Sequence, residues 1–120
     1  MSKFIFVDDD PNILEVYKDE IEIGIGDIDA HFFESALDAK EFIEDNDDIK
    51  LIVTDGKMPE LDGYELGKLA KEKDPNIKVI MISGHFNLED TEKEGTKVLD
   101  HFLEKPIDFD DFIQLLKSNT

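Results

Sequence analysis

The 120-residue chain predicts an α/β fold, a doubly wound five-stranded parallel sheet in the order 2-1-3-4-5. Three observations carry this expectation. Apolar runs of strand length alternate with amphipathic helical segments, without an internal repeat, low-complexity tract or linker. The runs are apolar at consecutive positions, as strands buried on both faces require. Four of them end on residues able to hold a ligand, and open α/β sheets place their sites at strand C-termini.

Lys3-Phe4-Ile5-Phe6-Val7 is aromatic and β-branched and reads as the first strand. It ends in Asp8, Asp9 and Asp10. Carboxylates this close repel and favour a cation, and oxygen ligands of this type suit a hard ion such as Mg²⁺. The other reading is a solvated turn that caps the next helix, since Asp favours the N-cap and Pro11 suits a first helical turn. That helix is expected from Pro11 to Ile23, with Gly24 as its stop. Leu14, Tyr17 and Ile21 share its core face, Val16 falls roughly opposite, and Ile13 lies at the border.

A second strand follows from Ile28 to Phe33. Ser35 with Asp38 resembles a capping box, with Asp in place of Glu, and opens a helix to about Asn46 through Ala36, Leu37, Ala39, Phe42 and Ile43. Leu51-Ile52-Val53-Thr54 is the third strand and ends at Asp55. Gly56 to Gly63 is a loop, and Tyr64 to Lys73 carries Leu66, Leu69 and Ala70 at helical spacing. After the turn Asp74-Pro75-Asn76, Lys78 to Ile82 forms a strand ending at Ser83. Asn87 to Lys97 is read as a helix, although Leu88 is its only strong apolar residue. Asp100 to Glu104 is the fifth strand, ending at Lys105 before Pro106. Asp108 caps a last helix holding Phe109, Phe112, Ile113, Leu115 and Leu116.

Composition narrows the function classes. The length suits one domain, residues 1–120, and 40% hydrophobic content is that of a globular protein. No apolar run is long enough to span a bilayer, and no basic region followed by an apolar stretch opens the chain. The absence of cysteine removes disulfides and thiolate chemistry and favours a cytoplasmic setting. A net charge of −18 argues against direct binding to nucleic acid or anionic membrane, which needs clustered Lys and Arg. His31, His85 and His101 lack metal-ligand spacing, and His31 and His101 read as structural.

In the expected strand order the switch point lies between the first and third strands, where Asp8, Asp9 and Asp55 would meet. A carboxylate cluster that binds a metal beside Ser83 and Lys105 is an arrangement suited to a phosphoryl group.

These residues carry a resemblance over essentially the whole chain. Asp8-Asp9 after the first strand, Asp55 with Met58-Pro59 and Gly63 after the third, Ser83 after the fourth and Lys105-Pro106 after the fifth resemble the CheY-like receiver domain of two-component response regulators, whose fold is flavodoxin-like. The resemblance implies that Asp55 accepts a phosphoryl group from a phosphohistidine on a histidine kinase or histidine phosphotransfer protein, and that the charged form signals to a downstream protein target. It implies Mg²⁺ ligation by Asp9, Asp55 and the Lys57 backbone carbonyl, with Asp8 acting mainly through a coordinated water. By the same resemblance Lys105 pairs with the phosphoryl oxygens, while Ser83 and Phe102 occupy the switch positions. Lys57 and His85 stand where phosphoryl lifetime is tuned, and the helix bearing Ile13 and Val16 meets the histidine-bearing partner. Such a domain is not an enzyme beyond autocatalytic acceptance and self-dephosphorylation. Where many receivers carry Gly-Ala before the fifth strand, this chain has Val98-Leu99, which alters the loop leading to Phe102.

Two other classes share parts of this pattern. The acidic triplet also resembles the Asp-x-Asp motif of haloacid-dehalogenase-type Mg²⁺-dependent phosphatases, with Asp8 as nucleophile, but Asn12 stands where that family prefers Thr or Val. A flavodoxin-like carrier of a flavin phosphate would need Ser, Thr and Gly where this chain has three carboxylates.

Overall fold

The computed structural model describes residues 2–84 and 99–119. Strands β1 (Lys3–Val7), β2 (Asp29–Phe33), β3 (Ile49–Asp55), β4 (Lys78–Ser83) and β5 (His101–Glu104) form one sheet in the order β2-β1-β3-β4-β5. Every pairing is parallel. Helices α1 (Pro11–Gly24), α2 (Ala36–Asp45), α3 (Gly63–Lys73) and α4 (Phe109–Ser118) complete the described elements. The expected helix from Asn87 to Lys97 lies outside the described residues, as do His85 and Val98.

The strand residues alternate between two cores, as the two-residue period of a strand dictates. Phe4, Phe6, Leu51, Val53, Ile80 and Ile82 face α1 and α4, where they meet Leu14, Tyr17, Ile21, Phe112, Ile113 and Leu116. Ile5, Val7 and Ile52 face the other way, onto Ala39 and Ile43 of α2 and Leu66 and Ala70 of α3. Consecutive apolar residues in β1, β3 and β4 are therefore required by helices on both sides.

The caps explain most helix boundaries. Asp10, Ser35, Asp62 and Asp108 stand at the N-caps of α1 to α4, each side chain accepting a backbone N–H of its first turn. At its other end α2 is closed by Lys73 of α3, whose ammonium donates to the carbonyls of Ile43, Glu44 and Asn46.

Helix α1 ends at Gly24, the expected stop, but the left-handed position falls to Gly26, at φ 97°, whose N–H donates to Ile21 O at 2.9 Å. Gly24 also permits helix contact, since a Cβ there would lie 2.9 Å from Ile113 Cγ2 on α4.

At the sheet edge away from the strand C-termini, Asp100 ties three elements together. Its N–H donates to Val79 O at 2.8 Å, and its Oδ2 accepts from Val79 N and Lys71 Nζ, each at 2.8 Å. Burial pushes the Asp100 carboxyl up, but the Lys71 and Val79 hydrogen bonds and the charges of Lys71 and Lys78 outweigh it and hold the pKa below the ordinary value. A lowered carboxyl pKa contributes stability above the unfolded-state pKa, and that contribution is lost as pH falls through the folded-state value. Asp100→Asn should cost about 1 kcal/mol at neutral pH after allowing for solvent screening. Denaturant midpoints measured across pH should show the gap between parent and variant closing below about pH 4; a gap independent of pH would remove the charge from this account.

Candidate functional site

Parallel pairing brings all strand C-termini to one edge, and the order β2-β1-β3 makes β1 and β3 neighbours. Val7 is in register with Thr54, so the next residues along the two strands, Asp8 and Asp55, emerge side by side. Carboxylate oxygens of Asp8, Asp9 and Asp55 lie within 4.8 Å of one another. Lys105, just past β5, places Nζ 3.5 Å from Asp55 Oδ2 and 3.6 Å from Asp8 Oδ2. Its backbone N–H donates to Ser83 O at 3.0 Å, which ties the lysine to the end of β4.

The acidic triplet divides its labour. Asp10 is the helix cap, its Oδ1 accepting from Asn12 N at 2.9 Å. Its own N–H donates to Asp8 Oδ1 at 2.9 Å. The capping turn and the carboxylate cluster, which began as competing readings of this triplet, therefore coexist. Asp9 is exposed, Asp55 is half-buried, and Asp8 is only 1% exposed.

Asp8 bears the main electrostatic cost. Burial pushes its pKa up, as do the charges of Asp55 and Asp9, while the Asp10 N–H and Lys105 pull it down and lose the contest. The stability linked to such a raised pKa is present below the unfolded value and lost as pH rises through the folded one, so ionised Asp8 opposes folding in the apo protein. Its Oδ2 is buried and accepts no hydrogen bond, the Lys105 ammonium standing 3.6 Å away. A buried oxygen without a hydrogen bond, beside two further carboxylates, is the donor set a hard divalent cation takes, and the site fits Mg²⁺ on that ground.

Two glycines shape the pocket. A Cβ on Gly56 would lie 3.0 Å from both Cβ and Oγ of buried Ser83, so this glycine admits the serine hydroxymethyl group. A Cβ on Gly63 would collide with the Asp55 carbonyl oxygen, and Gly63 N donates to Gly56 O at 3.1 Å, closing the loop under the carboxylate. Buried Thr54 adds a hydrogen bond from its hydroxyl to Asp55 O at 3.0 Å. Neither the roles of Gly56 and Thr54 nor the tight approach at Gly63 was read from the sequence, because each depends on a neighbouring strand or a loop closure.

Tyr17 is a further neighbour, read from sequence only as core. Its ring stacks on Phe112 at 5.1 Å, and burial together with the charges of Asp8 and Asp55 pushes the phenol well above its ordinary pKa. Of the remaining expected residues, Lys57 is exposed, Phe102 and Ile13 are half-buried, and Val16 is 36% exposed on the outer side of α1. His31 packs on Phe42 at 4.6 Å, which agrees with a structural role.

The phosphatase reading fails on this geometry. The second acid of its motif, Asp10, is turned onto the helix N-terminus, and Asp8 is sealed from solvent.

Comparisons with known proteins agree with the architecture. The chain is 30% identical to the heme response regulator HssR of Staphylococcus saprophyticus, over 98% of this chain and 51% of that protein, so it spans about half the length of that curated relative. A CheY-like receiver domain protein from Methanospirillum hungatei superposes with a TM-score of 0.87 at 26% identity, covering 98% of this chain and 92% of that one. The response regulator TrrA of Thermotoga maritima, solved in complex with Mg²⁺-BeF, shares the fold at a TM-score of 0.83 and 23% identity over the full length of both chains. The family model for the response regulator receiver domain matches residues 4–117, a span that takes in every strand end bearing a site residue, and the chain belongs to that family.

Proposed function

We propose that Asp55 is the phosphoacceptor of a two-component or phosphorelay pathway, charged by a phosphohistidine on a histidine kinase or histidine phosphotransfer protein. The observation that carries this assignment is the contrast among the carboxylates. Asp8 is sealed, Asp9 is exposed, and half-buried Asp55 places an oxygen 3.5 Å from the Lys105 ammonium. An Asp55 oxygen attacks phosphorus, the P–N bond breaks, and its electron pair returns to the imidazole, leaving an acyl phosphate. Lys105 then pairs with the phosphoryl oxygens, and the Ser83 hydroxyl moves onto one of them through the space left by Gly56. Phe102, on β5, follows that movement and alters the surface offered to a downstream protein.

Asp8, Asp9, Asp55 and the Lys57 carbonyl would hold Mg²⁺, with Asp8 acting mainly through a coordinated water. When bound there, Mg²⁺ would supply positive charge against the phosphoryl oxygens. In this reading the chain forms a single receiver domain that works in the cytoplasm without contacting nucleic acid or membrane directly. Among the described residues no helix is long and apolar enough to cross a membrane.

Acetyl phosphate labelling tests the acceptor. The parent should label at Asp55 and Asp55→Asn should not; label on Asp8 would revive the phosphatase reading. Thermal melting tests the metal. A cation that binds only the folded state should stabilise the protein by about 2.7 kcal/mol at a hundredfold excess over Kd. Asp9→Asn should stabilise the apo protein and lose the Mg²⁺ response, and a retained response would remove Asp9 from the ligand set.

Exposed Lys57 has a long cationic chain two residues past Asp55 that would lie across the phosphoryl oxygens and obstruct in-line water, and His85, two residues past Ser83 in the sequence, is the second proposed lifetime position. The phosphorylated form should decay slowly, and faster in Lys57→Ala when loss of label is followed in Mg²⁺. Val16, with Ile13 beside it on α1, is the proposed donor contact. Val16→Asp should slow transfer from a phosphohistidine donor but spare acetyl phosphate labelling, and loss of both or of neither would count against docking there.

A further inference from the structure

The flank of α1 that faces β2 carries a feature the phosphoacceptor reading does not use. All five β2 residues are half-exposed, while β1, β3 and β4 are largely buried. Ile28, Ala30 and Phe32 nevertheless point into the α1–α4 core, so the sheet face at this edge is only partly covered. Two clefts result. One, of about 510 Å³, lies at the upper end of α1 among Pro11, Leu14, Phe32 and Phe33. The other, of about 180 Å³, lies at the lower end among Ile21, Ile28, Ala30 and Phe32. They meet at Phe32 and together follow α1 for most of its length, roughly 20 Å at 1.5 Å per residue.

The borders are acidic. Glu15, Glu34 and Asp38 line the upper cleft and Glu22 and Asp27 the lower, against Lys18 as the one basic residue lining either, among the described residues. We propose that this groove docks an amphipathic helix of a partner protein, with its apolar stripe on Ile28, Ala30 and Phe32 and flanking Lys or Arg residues against the acidic borders. A helix laid there occupies the next place in the α1–α4 layer, at the 8–10 Å spacing of packed helices. A strand added to the free edge of β2 would lengthen the sheet and leave this face uncovered. A second copy of the chain, at a net charge of −18, would bring acid to acid.

The probe is a synthetic peptide of about 14 residues with Leu at helical spacing and Lys elsewhere. Its controls replace Lys by Glu, or keep the composition in a non-amphipathic order. Titration into the ¹⁵N-labelled full chain at about 0.15 M salt should give saturable shifts confined to α1 and residues 28–38. Ala30→Arg should weaken binding about tenfold or more, and so should the paired exposed changes Glu15→Lys and Glu22→Lys, which keep the test open if the first variant fails to fold. Glu72→Lys, a charge reversal at an exposed residue of α3 in the other helix layer, should leave the affinity unchanged. The proposal is overturned by shifts scattered over the acidic surface, by equal binding of the reordered peptide, by full affinity in the Glu15/Glu22 variant, or by sedimentation showing that the chain covers this face with a second copy.

Discussion

Carboxylates at the ends of two adjacent parallel strands, with the Lys105 ammonium paired to both, set the terms for the rest of this molecule. Parallel pairing fixes which ends of the strands meet, and the reversal of strand order between β1 and β3 fixes which residues face each other. Asp8 and Asp55 cannot separate without breaking the register of the central sheet. Lys105 answers them from β5, held by the end of β4. The two apolar cores beneath stabilise an edge that electrostatics alone would drive apart, and burial of about 1.5–3 kcal/mol per large apolar side chain is the scale on which they do so.

This tension also explains why polar residues near the edge have separate tasks. Asp10 is recruited as a helix cap and, through its N–H, as a donor to Asp8, so one residue of the triplet relieves the charge of another. Thr54 and Gly63 fix the main chain around Asp55, whose partly buried carboxylate stands beside Lys105. Fixed surroundings of this kind are what the proposed phosphoryl transfer would call for.

Much of this was legible in the residues themselves. Consecutive apolar residues in Phe4 to Val7 and Leu51 to Val53 disclosed strands covered on both sides, and Ser35 and Asp108 announced helix starts through local hydrogen bonding. The site could be read because its members each terminate a strand, so local pattern and global topology gave the same answer. What escaped was interaction between elements distant in sequence. Gly24 was legible as the end of α1, but its close approach to Ile113, which comes from the far end of the chain, was not. Gly56 is likewise meaningful only beside Ser83, and the Lys73 cap on α2 joins residues whose pairing no local motif signals.

The placement of Tyr17 has an optical consequence. The chain contains no tryptophan and two tyrosines, so phenols dominate its near-ultraviolet emission over the weaker phenylalanines. One of the two is wedged between Phe6 and Phe112, close enough to Asp8 and Asp55 for their charge to suppress its ionisation. Neutralising those carboxylates changes the field across that ring without any label being attached. The fold thus holds a native chromophore that feels the charge of Asp8 and Asp55, and its emission should respond when those carboxylates are neutralised.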